Sequence, residues 1–197
     1  MKKIKIFVLV FSAGLFSLSC GSGTTETDTT TSETESTTMD SAASDASTGV
    51  TTDQTLDTTS FPVMAASSDM FEISSSQQAQ QKATNAEVKQ FAAQMITDHT
   101  KTSEELKALT SKKNIVLPAA PAPKHQRLIT ALSTEDAPAF DEEYMEAQVM
   151  AHQQAVTLFE TASTSETDPE LKAFATKHLP HLKMHLDKAK TIKDKVD

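Results

Sequence analysis

Asn85-Ala-Glu-Val88-Lys-Gln-Phe91-Ala92-Ala-Gln-Met95-Ile-Thr-Asp98-His99-Thr-Lys-Thr102-Ser-Glu-Glu-Leu106-Lys-Ala-Leu109 runs without a glycine or a proline. Val88, Ala92, Met95, His99, Thr102, Leu106 and Leu109 recur in it at intervals of three and four, the spacing that lines one face of an α-helix. Asn85 stands where a helix cap belongs, so the spacing predicts a long amphipathic helix from there to about Lys112. Among its apolar neighbours that face carries one histidine.

The same periodicity extends outward on both sides. Upstream, a helix is expected over Phe61 to Ala83, with Val63, Ala66, Met70 and Ile73 as its apolar stripe and Ala65, Asp69, Glu72, Ser76 and Ala79 beside it. Downstream, Leu117-Pro118-Ala-Ala-Pro121-Ala-Pro123 forms a Pro-rich crossover, with a short helix at Gln126 to Leu132 and His125 solvated. A third long helix, capped at Asp136 with Pro138 early, carries Met145, Val149, His152, Val156 and Phe159. A fourth opens at Asp168-Pro169-Glu170 and carries Leu171, Phe174, His178, Leu182, His185, Ala189, Ile192 and Val196. Pro180 inside it frees the carbonyl of Thr176 and predicts a kink. Tight connections pair the helices as two antiparallel hairpins, and the crossover joins the hairpins. The expected fold is all-α: an antiparallel four-helix bundle of ferritin-like arrangement over residues 61–197.

Composition agrees. The 197 residues include only 4 Gly and 7 Pro, with 9 Phe, 1 Tyr and no Trp, which disfavours a strand-rich barrel or sandwich. The net charge is −9, and no basic run lies outside the first residues, so nucleic acid is excluded as a partner class. Cys20 is the one cysteine, so neither an intrachain disulfide nor a thiolate metal cluster can form.

Residues 1–19 combine a basic start at Lys2, Lys3 and Lys5 with an apolar run from Ile6 to Leu18 that is short for a membrane span. With Ser17-Leu18-Ser19-Cys20 after it, this leader resembles a bacterial lipoprotein signal, which implies acylation of Cys20 and anchoring to a membrane. Residues 21–60 hold 22 Ser or Thr, eight acids and no base, a composition expected to form a disordered tether rather than a core. The resulting expectation is an exported protein anchored to the cell envelope. Gly21 after the cysteine favours the outer membrane of a Gram-negative cell, and an envelope protein is a candidate partner.

His99, His152 and His185 occupy stripe positions on three helices, and Glu72 lies beside the stripe of the first. Counted from the tight turn, Glu72 and His99 differ in height by roughly 3 Å. One carboxylate and three imidazoles from four helices would suit Zn²⁺, Cu²⁺ or Fe²⁺, with Asp98 or Tyr144 orienting the rings. Counting from the later loop places His178 or His181, rather than His185, nearer the level of His152. Met70, Met95, Met145 and Met184 suit Cu(I) but are ordinary core filler at helical spacing. The alternative is a buried His and Glu hydrogen-bond network in a non-catalytic interaction module. Di-iron chemistry is not expected, because Met95 precedes His99 by four and Val149 precedes His152 by three, where a Glu-x-x-His pair would be needed. The domain also has no phosphate loop, nucleophile elbow or His-Glu-x-x-His, so no catalytic residue is assigned.

From about Phe61 to Ile192 the chain resembles the DUF4142 family of bacterial envelope domains. The resemblance rests on Met70-Phe71-Glu72-Ile73, Val88-Lys-Gln-Phe91-Ala92, Thr97-Asp98-His99-Thr100, Phe140-Asp141-Glu-Glu-Tyr144-Met145, Val149-Met-Ala-His152 and Leu179-Pro180-His-Leu-Lys-Met-His185-Leu186. It implies a ferritin-like domain and favours His185 over His178 and His181. Asp136-Ala137-Pro138-Ala139 stands where the family often has a glycine before the Phe-Asp segment.

Overall fold

The computed structural model describes residues 56–137 and 139–197. The leader at 1–19, Cys20 and the tether up to residue 55 lie outside the described residues. Five helices follow in order: α1 Phe61–Lys82, α2 Ala86–Lys112, α3 Pro123–Thr134, α4 Ala139–Ser165 and α5 Pro169–Val196. Among the described residues no helix is long and apolar enough to cross a membrane.

Local chemistry sets the boundaries. Asn85 accepts the amides of Glu87 and Val88 at the start of α2, and Asp168 accepts those of Glu170 and Leu171 at the start of α5. α2 stops at Lys112, and Asn114 just beyond it has a φ of 55°, in the left-handed region that asparagine tolerates. α3 is longer than expected because Pro123 starts it, its fixed φ suiting a first helical turn. α5 continues through Pro180; both Pro180 and Thr176 are exposed, so the freed Thr176 carbonyl meets water.

Side-chain pairs show how the helices run. Between α2 and α5 they are Glu87 with Lys195, Gln94 with Lys188, Asp98 with His185, Glu105 with His178 and Lys113 with Glu170. One number rises as the other falls, so these helices are antiparallel. The same holds between α1 and α4, where Ser76 meets Tyr144, Ser75 meets Gln148 and Phe61 meets Phe159. α3 lies against α1, where Gln78 donates to the Ile129 carbonyl at 3.1 Å and Lys82 reaches the carbonyls that end α3.

The Phe140-Asp141-x-x-Tyr144 segment ties the turn between α1 and α2 to α4. Asp141 accepts from the Thr84 amide, the Thr84 hydroxyl at 2.6 Å and the Asn85 amide at 2.9 Å, while Phe140 stacks on Tyr144.

Two expectations need correction. On α1 Val63 and Ala66 of the expected stripe are buried, but Met70 and Ile73 are only half-buried, and the more polar stripe of Ala65, Asp69, Glu72, Ser76 and Ala79 is buried throughout. Alanine and serine let α2 and α4 approach closely, and Met70 and Ile73 fall at the margin of that contact. His125, expected in solvent, is buried under α1, with Nδ1 2.9 Å from the Ser67 carbonyl and its ring stacked on Phe71.

The apolar core is divided in two. One cluster gathers Phe71, Phe91, Met95, Phe140, Tyr144, Met145 and Ile192; the other gathers Phe61, Leu106, Phe159, Leu171, Phe174 and Leu182. Between them, at mid-height, the buried side chains are polar: Asp69, Glu72, His99, Gln148, His152 and His185.

Candidate metal centre

Each histidine of this layer reaches it from a different helix, from a stripe position that local periodicity turns inward. His99 follows Met95 on α2, His152 precedes Ala155 on α4, and His185 lies between Leu182 and Ala189 on α5. Their exposures are 3%, 0% and 2%. The rings stand 5.5 to 5.6 Å apart, centroid to centroid, in all three pairings. One ligand nitrogen from each falls within 4.8 Å of the other two.

Every ring has one nitrogen held by an acceptor. His99 Nδ1–H donates to Asp69 Oδ1 at 2.8 Å, His152 Nδ1–H to the Gln148 carbonyl at 2.9 Å, and His185 Nε2–H to Asp98 Oδ2 at 3.0 Å. The opposite nitrogens, His99 Nε2, His152 Nε2 and His185 Nδ1, are buried and have no hydrogen-bond partner among the described residues. In each neutral ring that nitrogen carries a lone pair. Holding one imidazole nitrogen as a donor so that the other can ligate is the way proteins orient metal-binding histidines. A buried polar atom left unpaired otherwise costs about 1–3 kcal/mol, and here there are three.

Glu72 lies in the same layer, 1% exposed, with Oε1 3.6 Å from His152 Nδ1 and neither carboxylate oxygen hydrogen-bonded among the described residues. Burial pushes its pKa up to about 7, against the pull of the His99 charge. Burial drives His152 down to about 3 and His185 down to about 4, with repulsion from His99 adding to both. These two rings are therefore neutral at pH 7 and give up no proton on ligation. Burial also opposes charging of His99, but the bond to Asp69 and the charges of Asp69, Glu72 and Asp98 outweigh it and raise its pKa.

The remaining expected residues are distributed as follows. Asp98 bonds His185, as an orienting carboxylate would. Tyr144 orients no imidazole: its hydroxyl is 2.8 Å from Ser76 Oγ, one layer away toward the α1–α2 turn. His178 and His181 are not in the cluster; His178 is half-buried against Glu105 and Phe174, and His181 is exposed. The residue count favoured them because it ended the third long helix too early. α4 runs on to Ser165, which closes part of the height difference between His152 and His185. Met95 and Met145 belong to the apolar core, and Met184 is 46% exposed. Asp69, the partner of His99, was placed beside the stripe but not in the site; its spacing of three from Glu72 on one helix face was the available signal.

A family model described as a domain of unknown function, DUF4142, matches residues 30–192. The chain belongs to the DUF4142 family. The match begins within the Ser/Thr-rich segment, ahead of the first helix of this DUF4142 domain. No curated protein matches the chain. Two solved structures are similar. One is CopM in the Cu(II)-bound form, with a TM-score of 0.59 and 23% identity over 69% of this chain and 95% of that one. The other is a DUF305 fragment from Deinococcus radiodurans, with a TM-score of 0.59 and 12% identity over 70% of this chain and 97% of that one. At these identities the likeness establishes a shared helical fold for the DUF4142 domain.

Proposed function

We propose that this DUF4142 protein is a cell-envelope lipoprotein whose helical domain binds one transition-metal ion between His99, His152 and His185; Glu72, expected as a fourth ligand, shares their layer but contacts His152 at Nδ1, the nitrogen held by Gln148, and is not among the converging groups. One observation carries the reading: three buried imidazoles, each held by an acceptor on one nitrogen, converge with the other nitrogen unpaired. Three imidazole nitrogens suit Cu²⁺, Zn²⁺ or Fe²⁺. Nitrogens ligating one ion at about 2.0–2.1 Å stand roughly 3.4 Å apart, so binding would draw the rings together. The Cu(II)-bound state of the similar CopM structure favours copper. The role we assign is binding and sequestration, a protection of the envelope against the metal, with no reaction attributed to the site. The leader and Cys20 supply the membrane attachment in this reading.

The test is elemental analysis of the mature protein, exported and purified without chelator, beside His99→Leu and His185→Leu. Close to one ion per chain in wild type and none in either variant is the expected result. Absence of metal after titration with Cu²⁺, Zn²⁺ and Fe²⁺ would overturn it. It would favour the second reading, a structural polar layer in an interaction module, for which the Asp69–His99 and Asp98–His185 bonds speak. Loss of membrane fractionation in Cys20→Ala tests the anchor separately.

A further inference from the structure

The three ligand nitrogens are sealed from solvent, so an ion needs a way in. A cavity of about 450 Å³ between α1, α4 and the Pro-rich segment touches none of the three histidines. A second, about 290 Å³, lies between α2 and α5 and reaches His99 and His185. Its outer wall includes exposed Lys101, Lys177 and His181, so it communicates with the surface.

At mid-height the contacts across this cleft include the polar pairs Asp98 with His185 and Glu105 with His178, and between Met95 and Leu106 the only side chain that α2 buries is His99. The cleft is also lined with metal-competent groups at every depth. His178, His181 and His185 are spaced three and four apart on α5, so they share one helix face, which rises roughly 10 Å from first to last. Opposite them on α2 stand Glu105, with Oε2 3.1 Å from His178 Nε2, and Asp98, already bonded to His185. Lys177 pairs with the same Glu105 carboxylate from its exposed side, where a cation could displace it. Asp98 is half-buried and links the outer part of the cleft to the inner ligand.

We propose that the α2–α5 cleft is the loading route for the buried centre, and that Glu105, His178 and His181 form an outer acceptor that takes a hydrated divalent transition cation before His185 receives it. The proposal rests on the reading of His99, His152 and His185 as ligands. Its physical basis is stepwise dehydration. A small divalent ion loses its water in one step only at high cost, whereas exchange of one water at a time for carboxylate and imidazole keeps it coordinated throughout. The pairing of His178 with Glu105 holds both donors at the mouth of the cleft.

Stopped-flow mixing of the metal-free full-length protein with CuCl₂ tests this, read by Cu(II) absorbance and followed by measurement of bound copper after desalting. Two variants are compared with wild type: the triple Glu105→Gln, His178→Gln, His181→Gln, and Thr102→Trp, which fills the cleft without removing an acceptor. Association slower by tenfold or more in both, with final stoichiometry unchanged, is expected. Transfer of copper out to EDTA should slow by the same factor, because the route is shared. Wild-type rates in both variants, each helical by circular dichroism, would overturn the proposal. So would a lower final stoichiometry, which would make these residues equilibrium ligands. His99→Leu keeps the two readings apart: undiminished copper in that variant removes the buried centre itself, whatever the rates in the cleft variants.

Discussion

Asp69 Oδ1 stands 2.8 Å from His99 Nδ1 across the seam between α1 and α2, with both side chains buried. The carboxylate accepts the hydrogen bond from Nδ1–H and so, in the neutral ring, leaves Nε2 as the lone pair that can face a metal. Asp69→Asn keeps the size but removes the charge and can turn a donor toward the ring. Metal affinity is expected to fall about ten- to hundredfold with the helical fold retained, as read by competition against a chelator of known affinity.

Glu72 makes a pH-dependent prediction for the metal-free protein. Its pKa is raised to about 7 by burial, so the folded state holds a proton that the unfolded chain releases at ordinary carboxylate values. The stability associated with that proton is fully present below the unfolded pKa and is lost as pH rises through the folded one. Glu72→Gln mimics the protonated form. It should match wild type near pH 4 and exceed it by roughly 2–3 kcal/mol above pH 7, measured by urea unfolding in the presence of chelator. Equal stability of the two proteins at pH 8 would contradict the burial argument.

Ligand binding to the folded state alone raises its stability. A free ion concentration of about 100 times Kd adds about 2.7 kcal/mol, which for a domain of this length lifts Tm by roughly 8 °C. The shift should vanish in His152→Leu, whose ring is fully buried in the layer, and reverse with EDTA in wild type.

Tyr144 separates structural from metal-linked roles. Its hydroxyl satisfies Ser76 Oγ inside the core, so Tyr144→Phe leaves that hydroxyl unpaired and should cost about 1–3 kcal/mol of stability. Metal affinity should stay within a factor of two, because no ring nitrogen of the centre contacts Tyr144.

The helices and their caps were legible because their signals are local. Asn85 and Asp168 bond amides two and three residues away, so neither depends on the rest of the chain. That His99, His152 and His185 face inward was also legible, since each repeats the period of its apolar neighbours. Their convergence was not. Whether His178, His181 or His185 meets His152 depends on where α4 stops and how α5 lies against it, which periodicity does not encode.

The sequence by itself determined an all-helical domain from Phe61 onward with polar side chains embedded in otherwise apolar stripes, because helix formation and amphipathic phase arise within a few residues. Only the tertiary structure decided that Asp69 and Glu72, rather than Met70 and Ile73, occupy the core face of α1. It also decided that His125 is buried and that three imidazoles from separate helices share one layer. These outcomes depend on how closely neighbouring helices approach and at what height, and small alanine and serine side chains permit that approach without specifying it.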